Sequence, residues 1–134
     1  MNDAARRPTL SEVQRVAEFR MAMRRFVRRS DEIARSAGLT PQRYSLLMMI
    51  KASKGGDEQA SVGELARSLQ LAQNTVTELV NRAVAEGLVT RAPSREDGRV
   101  AYVRLTDEGE RRFREAFQGL ADERAALQEA VSQL

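Results

Sequence analysis

Between Ser61 and Thr106 the apolar pattern switches from helical spacing to strand alternation. That switch restricts the chain to folds that set a β-ribbon directly behind a pair of helices. Ser61 and Glu64 have the spacing of a capping box, in which a hydroxyl and a carboxylate satisfy the free amides of a helix start. Val62, Leu65, Ala66 and Leu69 follow as one apolar stripe, so the helix they predict has a single buried face. Gln70-Leu-Ala-Gln73 has room only for a sharp turn, with Leu71 expected as the apolar plug between two helices. In the second helix Val76, Leu79, Val80 and Ala83 fall within a narrow arc. The opposite arc presents Asn74, Thr77, Glu78 and Asn81, with Gln73, Thr75 and Arg82 at its edges.

Gly87 stands where a left-handed residue ends the second helix. Leu88-Val-Thr-Arg91 and Val100-Ala-Tyr-Val-Arg-Leu105 are β-branched or aromatic runs joined by the turn-rich Ala92-Pro-Ser-Arg-Glu-Asp-Gly98, which predicts a hairpin. Arg91, Arg95, Arg99 and Arg104 against Glu96 and Asp97 make that hairpin net basic. Two helices, a tight turn and a basic ribbon in this order form a winged helix-turn-helix, an architecture that places a helix in a DNA groove. Asn, Gln and Glu can pair with base edges and Thr can meet a thymine methyl, so the polar arc suits a major groove. Arginines on a hairpin tip suit the negative potential of a narrow minor groove. A solvated helix face has the same polarity as a reading face, so it is the combination with the hairpin that points to DNA.

The flanks predict long helices. Thr9 and Glu12 form a second capping box, and helical periodicity runs to Ala37 before Gly38 stops it, roughly 40 Å at ~1.5 Å per residue. Val16, Phe19, Met23, Phe26, Ile33 and Ala37 recur near one face of that helix. Thr40-Pro41 opens a further helix carrying Tyr44, Leu47, Met48 and Ile50 and ending near Ser53, and residues 54–58 form a loop. From Thr106, with Asp107 and Glu108 in its first turn, a last helix carries Phe113, Phe117, Leu120, Leu127, Val131 and Leu134. Neither flank can bury its stripe on so small a core, whereas two copies of the chain can bury both across a two-fold axis. The expected fold is therefore mostly α with a small β-hairpin wing. Its organisation is a disordered arm at residues 1–8, an N-terminal dimerisation helix at 9–38, a winged helix-turn-helix unit at 39–106 and a C-terminal dimerisation helix at 107–134.

Composition narrows function further. The chain has 134 residues, a formal net charge of +3, and neither Cys nor His. Thiol-based oxidant sensing, a Cys zinc site and an imidazole base or pH switch are thereby excluded. The acidic residues are scattered beside arginines and no Gly-rich phosphate loop occurs, so no enzyme, cofactor or metal site is expected. The basic residues are 20 Arg and 2 Lys. Arg20, Arg24, Arg25, Arg28 and Arg29 crowd the first helix, either as a solvated face shared with Glu18, Asp31 and Glu32 or as phosphate contacts. With no signal peptide and no long apolar run, a cytoplasmic location and no membrane contact are expected.

Thr75-Val-Thr, Leu79-Val-Asn-Arg82, Gly87-Leu-Val-Thr-Arg91, Asp97-Gly-Arg99 and Leu105-Thr-Asp-Glu-Gly109 together resemble the MarR family of bacterial transcriptional regulators, over about Leu39 to Gly109. The resemblance implies a homodimeric DNA-binding regulator, expected to be a repressor. Gln73, Asn74, Thr75, Thr77, Glu78 and Asn81 would line the major groove. Arg95 and Arg99 of the wing would meet DNA, with Arg99 in the minor groove and Asp97 bracing the wing. Three positions depart from the family pattern: Glu78 where a basic residue is frequent, Gly98 where Arg is frequent, and Ala72 where a capping Asp or Ser is frequent. The resemblance also implies a crevice for a small aromatic anion whose binding releases the DNA. Here it would be lined by Phe19, Met23, Tyr44, Met48 and Phe113, with Arg43 or Arg15 as the carboxylate partner; the same apolar residues would equally serve as core. The alternative to operator binding is a winged-helix protein-interaction module with weak DNA binding, to which Glu78 and the modest net charge point.

Overall fold

The computed structural model describes residues 6–93 and 100–134. Its elements run α1 (Leu10–Ser36), α2 (Pro41–Lys51), β1 (Gln59–Ser61), α3 (Val62–Leu69), α4 (Gln73–Ala85), β2 (Val89–Pro93), β3 (Ala101–Leu105), α5 (Asp107–Gly119) and α6 (Ala121–Ser132). Hydroxyl side chains begin four of the helices. Thr9, Thr40, Ser61 and Thr106 each accept a hydrogen bond from the backbone N–H three residues on. At Thr9 both halves of the capping box form, with Glu12 N donating to Oγ1 at 3.1 Å and Thr9 N donating to the Glu12 carboxylate at 2.9 Å. Gly38 and Gly87 take left-handed φ of 80° and 74°, the role of helix stops.

The core lies between α2, α3, α4 and the sheet. Leu39, Leu46, Leu47, Ile50, Leu65, Val76, Val80, Leu88 and Val103 are its largest fully buried side chains. Arg43 of α2 reaches Glu86, the C-cap residue of α4, at 2.7 Å, and Lys51 at the end of α2 pairs with Glu110 of α5 at 2.5 Å and with Glu58 at 3.0 Å.

Three sequence expectations are corrected. The ribbon is not two-stranded: Gln59–Ser61 adds a third antiparallel strand, giving the order β1-β3-β2 with Ala60 opposite Val103 and Arg91 opposite Val103 on the other side. The C-terminal flank is not one helix over 107–134. It breaks at Leu120, which is 2% exposed and ends α5 while starting α6. Burying Leu120 and laying α6 along α1 outweighs the continuity of one helix. Leu71 does not plug the helix-turn-helix, since it is 38% exposed. The turn is made instead by Gln70 in the left-handed region (φ 57°), with Leu71 N donating to Ala66 O at 3.1 Å.

The apolar residues of α1 divide between two faces. Ala22 and Ala34 are buried, Ala22 and Phe26 flank a groove against Glu123 and Ala126 of α6, and Ile33 meets α5 at Gly119. Val13, Val16, Met23 and Val27 remain exposed within the single chain. Of the arm expected at residues 1–8, residues 1–5 lie outside the described residues, and Arg6 pairs with Glu12 at 2.9 Å. Among the described residues no helix is long and apolar enough to cross a membrane.

A close backbone junction joins α4, β2 and α5. Thr106 N donates to the Leu88 carbonyl at 3.0 Å, Thr106 Oγ1 donates to the Gly87 carbonyl at 2.6 Å, and the same hydroxyl accepts from Gly109 N at 3.1 Å. A β-carbon on Gly109 would lie 2.1 Å from the Leu88 oxygen. Backbone cannot yield as a flexible side chain can, so Gly109→Ala should destabilise the fold by about 3 kcal/mol or more, read as a lower urea midpoint at an unchanged slope.

Candidate nucleic-acid interface

Helix α4 owes its orientation to its apolar arc. Val76, Leu79, Val80 and Ala83 are all buried, which turns the opposite arc to solvent. Gln73, Asn74, Thr75, Thr77, Glu78, Asn81 and Arg82 are all exposed. Every residue assigned from the sequence to the major groove thus lies on α4, on or beside one outward arc.

Several of these polar groups already hold partners within the chain. Asn74 Oδ1 accepts from Thr75 N at 3.0 Å, and the Thr77 hydroxyl donates to the Gln73 carbonyl at 2.9 Å. Arg91, reaching from β2, donates through Nη2 to Oδ1 of Asn81. Sequence reading had placed Arg91 only in the basic ribbon. The missing signal was geometric, because the ribbon folds back over the C-terminal half of α4 and joins residues ten apart. The wing residues Arg95, Asp97 and Arg99 lie outside the described residues.

Residues 37–100 match the model described as the MarR family. The chain belongs to the MarR family. It is 29% identical over 85 residues to the HTH-type transcriptional repressor IacR of Pseudomonas putida, covering 63% of this chain and 48% of that protein. It is 30% identical over 95 residues to the HTH-type transcriptional repressor YetL of Bacillus subtilis (strain 168), covering 71% of this chain and 56% of that protein. The chain therefore spans about half the length of these relatives. Among solved structures, a mutant MepR from S. aureus bound to an oligodeoxyribonucleotide is similar, with a TM-score of 0.66, 26% identity and coverage of 87% of this chain and 80% of that one.

The residues proposed for a MarR-type ligand crevice fall into two groups. Tyr44 and Phe113 are buried with ring centroids 5.6 Å apart, Phe117 continues the row at 5.5 Å, and Met48 packs on the same core. The Tyr44 hydroxyl is buried and has no hydrogen-bond partner among the described residues. Burial pushes the Tyr44 phenol up from its usual pKa, opposed by the charge of Arg124, so it stays protonated at neutral pH. Arg124 lies 4.0 Å from the Phe117 ring centroid, an arginine that sequence reading missed because it sits past the helix break. Phe19 and Met23 do not join this group within one chain. They precede Ile33, an α1 residue that meets α5 at Gly119, by ten residues or more, about 15 Å of helix or further. Arg43 is held by Glu86, and Arg15 donates to Ser11 at 2.7 Å.

Helix α4 starts at Ala72, whose φ of −66° and ψ of 149° suit an N-cap but whose side chain makes no capping hydrogen bond. Ala72→Ser should supply the missing acceptor and stabilise the fold by about 1 kcal/mol, measured as a raised melting temperature with the circular dichroism spectrum unchanged.

Proposed function

We propose that this protein is a homodimeric, sequence-specific DNA-binding regulator, and a repressor, in which α4 reads the major groove of an operator. The observation that carries this reading is the outward arc of α4, a full row of exposed polar side chains set opposite a wholly buried apolar one. The family's repressors and a DNA-bound structural relative support it. Gln73, Asn74, Thr75, Thr77, Glu78 and Asn81 face the bases, and Arg95 and Arg99 of the wing, braced by Asp97, contact the flanking groove. The dimer is supported by the unpartnered face of α1, where Val13, Val16, Met23 and Val27 would otherwise remain in water.

Gel-shift titration against the DNA upstream of its own gene, repeated over a range of salt, tests the reading directly. Specific binding should exceed random-sequence binding at every salt concentration, with a negative slope of log affinity against log salt. Equal affinity for both DNAs would favour the protein-interaction reading instead. Arg99→Ala should weaken operator binding by about 1–3 kcal/mol. Light scattering should give the mass of two chains, and Val16→Asp together with Val27→Asp should shift the protein towards monomer.

We further propose that the dimer releases DNA when a small aromatic anion binds beside the Tyr44–Phe113–Phe117 row. The Tyr44 hydroxyl, without a partner among the described residues, and the nearby Arg124, which also donates to the Phe117 carbonyl, would supply a donor and a cation for a carboxylate. Phe19 and Met23 would join that site only from a partner chain. Salicylate should raise the melting temperature and lower operator affinity together, because a ligand that shifts DNA binding must favour one dimer geometry. Calorimetry with no saturable heat at millimolar salicylate would exclude this ligand class.

A further inference from the structure

The hydrogen bond between Arg91 and Asn81 fixes which way the Asn81 amide points. Arginine carries only N–H donors, so the asparagine atom facing it is the carbonyl oxygen. Both residues are exposed, and Asn81 lies on the outward arc of α4. A free asparagine reads adenine by donating to N7 while accepting from the N6 amino group, which needs both ends of the amide. In this chain the accepting end is occupied. Oδ1 keeps a second lone pair, but an adenine amino group reaching it would sit against the guanidinium, donor facing donor. What the pair offers outward is the Nδ2 amino group beside the remaining guanidinium N–H groups, two sets of donors on a positively charged unit. Asn74 has the same polarity, its Oδ1 being engaged by Thr75 N.

We propose that Arg91 and Asn81 act as one donor-only reader that selects guanine, which makes Arg91 a specificity-determining residue outside the recognition helix. Guanine is the base whose major-groove edge offers two neighbouring acceptors, N7 and O6. Arg91 has a double part here, donating to the base and withdrawing from Asn81 the acceptor that adenine requires. The inference rests on the DNA-binding reading above and adds to it the base and the residue that sets it.

Selection from a double-stranded DNA library randomised across the half-site, using the full chain, tests the pair. The wild-type protein should enrich guanine at one position in each half-site. Arg91→Ala frees the Asn81 oxygen, so preference at that position should move from guanine to adenine, the guanine-to-adenine affinity ratio falling about tenfold or more. Arg91→Lys keeps a donor on Oδ1 and should keep guanine. Asn81→Asp keeps the acceptor for Arg91 but removes the amide donor, so guanine preference should drop even if Arg91→Ala proves unstable. An Arg91→Ala protein that binds every sequence more weakly by the same factor, or still selects guanine, overturns the inference and makes Arg91 a phosphate contact or a structural brace. A wild-type protein that enriches no sequence overturns the DNA-binding reading itself, a separate outcome visible before any variant is made.

Discussion

The carbonyl of Leu88 joins the helical frame of this protein to its winged unit. It accepts from Thr106 N at 3.0 Å and occupies the space where any β-carbon on residue 109 would stand. Leu88 itself is fully buried, so the carbonyl cannot retreat without dragging the core. The end of α4, the start of β2 and the first turn of α5 are therefore positioned against each other by backbone contact, reinforced by the Thr106 hydroxyl that bridges Gly87 and Gly109. The direction in which the polar arc of α4 faces, relative to the helices that lead to the chain's end, follows from that contact.

The other organising constraint is how α1 distributes its apolar surface. One side is satisfied inside the chain, where Ala22, Phe26 and Ile33 meet α6 and α5. The other keeps Val13, Val16, Met23 and Val27 in solvent. Burial is worth roughly 25 cal/mol per Å² of apolar surface, so a row of half-exposed valines with Met23 favours covering that face. The break at Leu120 makes the first arrangement possible, because a straight continuation of α5 would not lie along α1.

What the sequence disclosed was set by local rules. Thr9, Thr40, Ser61 and Thr106 start helices as capping residues do, and the buried arc of α4 is the one its 3.6-residue period predicts. The exposure of the candidate reading residues follows from that same period. What it concealed was long-range. Strand β1 has three residues and exists only because Val103, far along the chain, offers Ala60 a partner. Leu71 was expected inside because it is apolar and central to the turn, but the left-handed Gln70 carries the chain outward before it. The Arg91 to Asn81 bond joins a strand to a helix, and neither residue's own periodicity reports it.

The sheet order has a further consequence. Among the described residues β3 lies in the centre, and the unpaired edges fall to β1, three residues long, and β2, five residues ending in Pro93, which has no N–H to offer. Such edges are poor templates for adding a foreign strand. In the dimer proposed above, the apolar face of α1 would be exposed until two copies meet, and the brevity of these strands would favour helix-to-helix contact over strand pairing as the way the copies adhere.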